Sequence, residues 1–305
     1  MYKEKRSAHS AFVPIRGLQY HVLEWTHGPL RPELPALFMV HGWMDVGASY
    51  QFMVDALSDD FVRGRRLIAP DWRGFGLTQA QADSFWFPDY LADLDFLIDA
   101  LAPGQAVDLV GHSMGGNVSM NYAGVRPERI RRLINLEGFG LAQSRPSQAA
   151  GRIAQWMDEL KTLHAGALGL RDYDNREGVA QRLMKTNPRL DADKAHWLAG
   201  HWARADAQGR WRILGEAGHK LKNPYLYRWD EMQDIWTRIS APVLSVHASD
   251  DSLARWSRGS YTLADYHDRL KNVAQARIAC INNAGHMLHH DQPRALAELI
   301  ENFLA

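Results

Sequence analysis

Five residues define a chemistry before any fold is assigned: Gly111-His112-Ser113-Met114-Gly115. An apolar run, Val107-Asp108-Leu109-Val110, leads into them, and a helix-compatible segment, Asn117 to Val125, follows. A strand that turns sharply into a helix holds the middle residue in a strained, positive-φ conformation, which only small neighbours tolerate. Gly111 and Gly115 supply that room. The Ser113 hydroxyl then projects clear of the sheet, beside a helix N-terminus whose free N–H groups stabilise developing negative charge. Ser113 reads as a nucleophile, which requires a general base, an acid that orients the base, and oxyanion donors.

Candidates lie at the ends of other apolar runs. Ala36–Val40 ends in His41-Gly42-Trp43-Met44-Asp45, where the glycine turn frees the Trp43 amide to face the serine. The N–H groups of Trp43 and Met114 are the expected oxyanion pair. His41 is read as a brace for this loop, and Asp45 as a cap for a helix around residues 50–57. Ile130–Leu136 ends at Glu137. Ala241–His247 is followed by Ala248-Ser249-Asp250-Asp251, and Ala276–Ile281 by Asn283-Ala284-Gly285-His286, then His289 and His290. Acids therefore follow two of these strands and a histidine follows the last.

The elements that must position these residues alternate strand and helix. Two strands joined at Gly17 open the chain, the second being Leu18 to Trp25, whose partial alternation suits an antiparallel edge. Further strands are expected at 36–40, 66–70, 107–112, 130–136, 241–247 and 276–281, and helices at 88–101 and 293–303. The loop Asp71-Trp72-Arg73-Gly74-Phe75-Gly76 lacks the lysine and helix of a phosphate-binding loop and reads as a structural turn. Such alternation predicts a mostly parallel sheet flanked by helices, with a site at the carboxyl ends of its strands. From about Gly140 to Trp236 it stops. That stretch, with helical periodicity and tryptophans at 156, 197, 202, 211, 229 and 236, reads as a mainly helical cap. The expected divisions are core 1–139, cap 140–236 and core 237–305, with about half of those tryptophans packed and the others facing a pocket.

Composition narrows the function classes. Among 305 residues, 35 Lys plus Arg balance 35 Asp plus Glu, so no global field favours nucleic acid or anionic membrane. The arginine clusters at 63, 65 and 66 and at 126, 129, 131 and 132 read as solvated loops and helix ends. Cys280, the single cysteine, excludes an intrachain disulfide or a thiolate zinc site and reads as a small buried hydrophobe. The charged start of the chain leads into no apolar run long enough for a signal peptide or membrane span, and a soluble, cytoplasmic protein is expected. Oligomeric state is not legible.

Taken together, His41-Gly42-Trp43, Asp71-x-Arg73-Gly74-x-Gly76, Gly111-x-Ser113-x-Gly115, the Asp250-Asp251 turn and Gly285-His286 resemble the α/β-hydrolase fold superfamily across nearly the whole core. His41-Gly42-Trp43-Met44-Asp45 with Ser49, and Lys222-Asn223-Pro224-Tyr225, resemble its serine hydrolase-like branch. The resemblance implies Ser113 as nucleophile, His286 as general base and Asp251 as orienting acid, with Asp250 and Glu137 as alternatives. The spacing from Ala248 favours Asp251. His289 and His290 suit a solvated or bracing role. The implied activity is hydrolysis of small to medium apolar carboxylic esters through an acyl-enzyme, with no metal or organic cofactor. A C–C bond hydrolase with the same triad, or a receptor keeping a vestigial triad, are the alternatives. Relatives with a carboxylate at the elbow, the dehalogenases and epoxide hydrolases, differ at Ser113.

Overall fold

A computed structural model describes residues 2–80 and 82–305. Eleven strands form: β1 (His9–Ile15), β2 (Leu18–Trp25), β3 (Leu37–Val40), β4 (Leu67–Pro70), β5 (Val107–His112), β6 (Ile130–Leu136), β7 (Asp172–Tyr173), β8 (Ala203–Ala205), β9 (Trp211–Ile213), β10 (Val243–Ala248) and β11 (Ala276–Ile281). Eight of them make one sheet in the order β1-β2-β4-β3-β5-β6-β10-β11. From β4 to β11 all neighbours are parallel, whereas β2 runs against both of its partners. The continuous apolar runs at β3, β4 and β5 are buried throughout, as strands covered on both faces must be.

The helices α1 (Gln51–Ala56), α2 (Asp59–Val62), α3 (Phe87–Leu101), α4 (Met114–Val125), α5 (Ala149–His164), α6 (Arg176–Thr186), α7 (Ala192–Trp202), α8 (Trp229–Thr237), α9 (Ser252–Ser257), α10 (Leu263–Leu270), α11 (Leu288–Asp291) and α12 (Pro293–Leu304) cover the sheet and build the insertion. Two apolar layers result. One joins α1 and α12, through Phe52, Met53, Leu296 and Ile300, to one face of the sheet; α3, α4, α8 and α10 pack on the other. Leu296, Ile300 and Leu304 recur at i+4, so α12 presents a single apolar stripe, and Pro293 starts it where no N–H is needed. No helix among the described residues is long and apolar enough to cross a membrane.

One expectation gains detail and two change. The insertion, expected to be mainly helical, carries α5 to α8 and in addition a three-stranded antiparallel sheet of β7, β9 and β8. Strands of two or three residues are too short to show a period-2 pattern. Cys280 is exposed, because β11 is an edge strand with half of its side chains turned to solvent. The arginine clusters are largely paired. Arg65 and Arg131 both reach the buried Asp108 carboxylate (3.0 and 2.6 Å), and Arg66 pairs with Glu24 at 2.6 Å.

Candidate active site

Because β4 lies on one side of β3 and β5 on the other, the chain reverses its direction of travel between β3 and β5, where the crevice of an open parallel sheet forms. Ser113 sits at the carboxyl end of β5 with φ 54° and ψ −115°, the strained conformation expected of a nucleophile elbow. Its amide donates to Leu136 O at 2.8 Å. A Cβ at Gly111 would strike the Gly115 carbonyl, and one at Gly115 would strike the carbonyls of Val40 and His41, so both positions require glycine. Met44 (φ 55°) and Glu137 (φ 57°) are the corresponding positive-φ residues beyond β3 and β6. Backbone strain thus gathers at the ends of three adjacent strands.

The oxyanion candidates flank the elbow. Met114 opens α4, so its N–H has no partner within the helix. Gly42 lies against the serine: a Cβ there would stand 3.1 Å from Ser113 Cβ and 3.0 Å from His112 Nδ1. This brings the loop carrying Trp43 over the nucleophile. His41 is the brace expected of it. Its Nε2 accepts from Trp72 N at 2.9 Å, and its Nδ1 lies 2.7 Å from Gly42 O. Asp45 does not cap the helix. Its Oδ1 accepts from Val46 N (2.9 Å), Trp202 Nε1 (3.0 Å) and Ser49 Oγ, which binds the oxyanion loop to the insertion.

The carboxylate beside His286 is not the one the sequence favours. His286 Nδ1 lies 3.1 Å from Glu137 Oε2. Glu137 is buried at the end of β6 and also accepts from Ala248 N (2.7 Å, through Oε1) and from Ser252 Oγ. Asp251 is exposed at the N-cap of α9, where it accepts from Ala254 N at 2.8 Å, and Asp250 pairs with Arg189 at 2.8 Å. The turn after β10 thus contributes a backbone amide and a serine hydroxyl to the glutamate, and neither aspartate of that turn is bonded to His286. Burial pushes Glu137 up to about 7 against the donors Ser252 and Ala248, while burial of His286 lowers it to about 3 and keeps the imidazole neutral.

Several supporting residues escaped the sequence reading. His112 donates through Nε2 to His286 O at 2.8 Å, which ties the elbow to the base loop. Asp291 accepts from Gly285 N (2.8 Å) and Asn187 Nδ2 (2.7 Å), anchoring that loop from its other side. The Trp256 ring stands 4.0 Å from His286, edge to face. His289 and His290 are buried, not solvated. Asp45, His112 and His289 place one potential ligand atom each within 4.8 Å of one another; this is the group among the described residues with metal-ligand chemistry, and its size also suits one water with three partners.

Residues 35–293 match the α/β-hydrolase fold family, and the chain belongs to it. It is 27% identical to a serine hydrolase-like protein of Danio rerio, over 96% of this chain and 86% of that protein. A serine hydrolase-like protein of Dictyostelium discoideum is 21% identical over 88% of this chain and 74% of its own. Over 35% of this chain, and 37% of the relative, it is 36% identical to a 2-hydroxymuconate semialdehyde hydrolase of Pseudomonas. Among solved structures, the thioesterase domain from the curacin biosynthetic pathway superposes with a TM-score of 0.81, at 24% identity and covering 97% of this chain and 99% of that one.

Proposed function

We propose that this α/β-hydrolase is a serine hydrolase of carboxylic esters, in which Ser113 attacks, His286 is general base and Glu137 orients it. The observation that carries the reading is the His286–Glu137 contact at 3.1 Å, with the glutamate buried, in a fold whose elbow serine is held at φ 54°. His286 Nε2 takes the Ser113 proton as Oγ bonds to the ester carbonyl carbon. The carbonyl oxygen becomes an oxyanion between the amides of Trp43 and Met114. Collapse of the tetrahedral species breaks the C–O bond, and the proton on His286 passes to the departing alkoxide. Water, deprotonated by His286, then releases the acid by the same steps in reverse. Glu137 holds Nδ1–H throughout and stabilises the imidazolium.

Labelling with a fluorophosphonate tests this directly. Ser113→Ala should abolish labelling, Glu137→Gln should slow it by about 10³-fold or more, and Asp251→Asn should not slow it. A folded wild type that resists the probe overturns the reading. Slowing by Asp251→Asn without slowing by Glu137→Gln reassigns the acid. Cleavage of a vinylogous diketone is the second reading, favoured by the 36% identity to the semialdehyde hydrolase over 110 residues. Turnover of such a ketone far above that of aryl esters would select it.

A further inference from the structure

A cleft of about 160 Å³ opens beside the elbow, and its wall includes both residues whose amides face the oxyanion, Trp43 and Met114. Phe85, Trp86, Phe87 and Trp156 are its other large aromatic lining residues. His219 adds no charge. Its ring is sandwiched between Phe75 and Phe85 at 3.8 and 3.7 Å, and burial lowers it to about 3. A volume near 150 Å³ holds one six-membered ring. Flat aromatic walls match a planar ring better than a branched aliphatic group.

The lining is polar as well as aromatic, with Ser84, Tyr90 and Asn223 in the wall, and two of its groups are donors left without a side-chain partner. Trp156 Nε1 is buried with no acceptor among the described residues, and an unpaired buried donor is costly unless a ligand meets it. Lys222 stands exposed on the cleft wall; its backbone N–H donates to Glu159 Oε2 at 2.6 Å, while its ammonium makes no ion pair among the described residues. Both are donors only. The direction of binding also follows from the lining. The lining holds Trp43 and Met114 but neither Ser113 nor any residue of the base loop or α9, so the cleft opens on the side of the elbow that carries these two amides and not on the side of His286 and Trp256. The leaving alkoxide must face His286 to collect its proton, which assigns the cleft to the acyl half of the ester.

Resting on the ester-hydrolase reading, we infer that the acyl group is a single planar ring bearing an anionic acceptor, such as a carboxylate, distal to the scissile carbonyl. Trp156 Nε1–H and the Lys222 ammonium recognise that substituent. The test compares kcat/KM for monomethyl terephthalate, methyl benzoate and methyl octanoate in wild type, Trp156→Phe and Lys222→Gln. Wild type should prefer the terephthalate monoester, and each variant should lower its selectivity over methyl benzoate by about tenfold, the loss expected for one charge-assisted hydrogen bond. Preference for the octanoate, or an anionic-to-neutral ratio unmoved by both variants, overturns the inference. Fluorophosphonate labelling reads Ser113 independently of the acyl group, so an active serine with the wrong ester preference refutes only the substrate class. Calorimetry of terephthalate on Ser113→Ala reads the cleft without turnover: binding weakened by Trp156→Phe supports the assignment, and no binding at millimolar ligand opposes it.

Discussion

At the scale of single residues, Glu137 shows why the carboxylate that meets His286 was the hardest part of the candidate site to read. Spacing after a strand end places aspartates 250 and 251 as naturally as it places Glu137, because each follows a parallel strand to the same edge of the sheet. What decides is burial and donors: Glu137 is enclosed and accepts from Ala248 N, Ser252 and His286, whereas Asp251 spends its Oδ1 on a helix cap. These contacts join residues more than a hundred positions apart, and nothing local announces them. A pH dependence follows. With Glu137 raised to about 7, its carboxyl is protonated below that value and no longer carries the negative charge that stabilises the imidazolium, so ester turnover should fall as pH drops through about 7. His286 remains neutral down to about 3 and contributes no limb in that range. The Ser252 hydroxyl favours the charged carboxylate, so Ser252→Ala should move the limb to higher pH; the Asp251 charge raises Glu137, so Asp251→Ala should move it lower. A kcat/KM profile of the three proteins checks both signs, and Glu137→Gln should abolish the limb.

At the scale of elements, the strand–elbow–helix unit was legible because two glycines and a serine report on contacts that every residue of that turn makes. Gly115 is where the register of β5 against β3 depends on the absence of a side chain, since a Cβ there meets backbone carbonyls that cannot swing aside. Gly115→Ala should therefore cost about 1–3 kcal/mol or more, with the midpoint of urea unfolding lowered and labelling of Ser113 lost in parallel. An unchanged midpoint would show that α4 can shift away from β3 without penalty. The glycine-punctuated loop after β4 was read as a turn. It is one, with Asp71 accepting from Gly47 N (2.7 Å) and Leu77 N (2.9 Å). The sequence did not disclose that the same loop carries the insertion: Gly76 N donates to Leu214 O and Glu216 N to Gly74 O, each at 2.9 Å. Backbone pairing of this kind leaves no trace in side-chain pattern.

At the scale of the whole molecule, the layers of the core were readable from alternation of strand and helix, but the relation of the insertion to that core was not. Of its six tryptophans, Trp229 and Trp236 of α8 pack on one core layer, Trp197, Trp202 and Trp211 pack on the opposite layer, and Trp156 lines the cleft, which is fewer than the half expected; Trp43 and Trp86 complete that cleft from outside the insertion. The helices α6 and α7 share one continuous apolar cluster with α1, through Val179, Leu183, Leu198 and Ala199 on one side and Tyr50 and Phe52 on the other. An insertion joined to the sheet in this way has no separate core with which to unfold on its own. Leu198, fully buried in that cluster, should then report on global stability: Leu198→Ala is expected to cost about 2–5 kcal/mol. Heat unfolding followed by far-ultraviolet circular dichroism, dominated by the core, and by tryptophan fluorescence, weighted toward the insertion, should give one coincident midpoint that moves together in the variant. Two separated midpoints, with only the fluorescence transition displaced, would mean that α6 and α7 detach while the sheet remains folded. The oxyanion loop would then lose its tether, because Asp45 is bonded to Trp202 at the end of α7, and labelling of Ser113 would decline with the earlier transition.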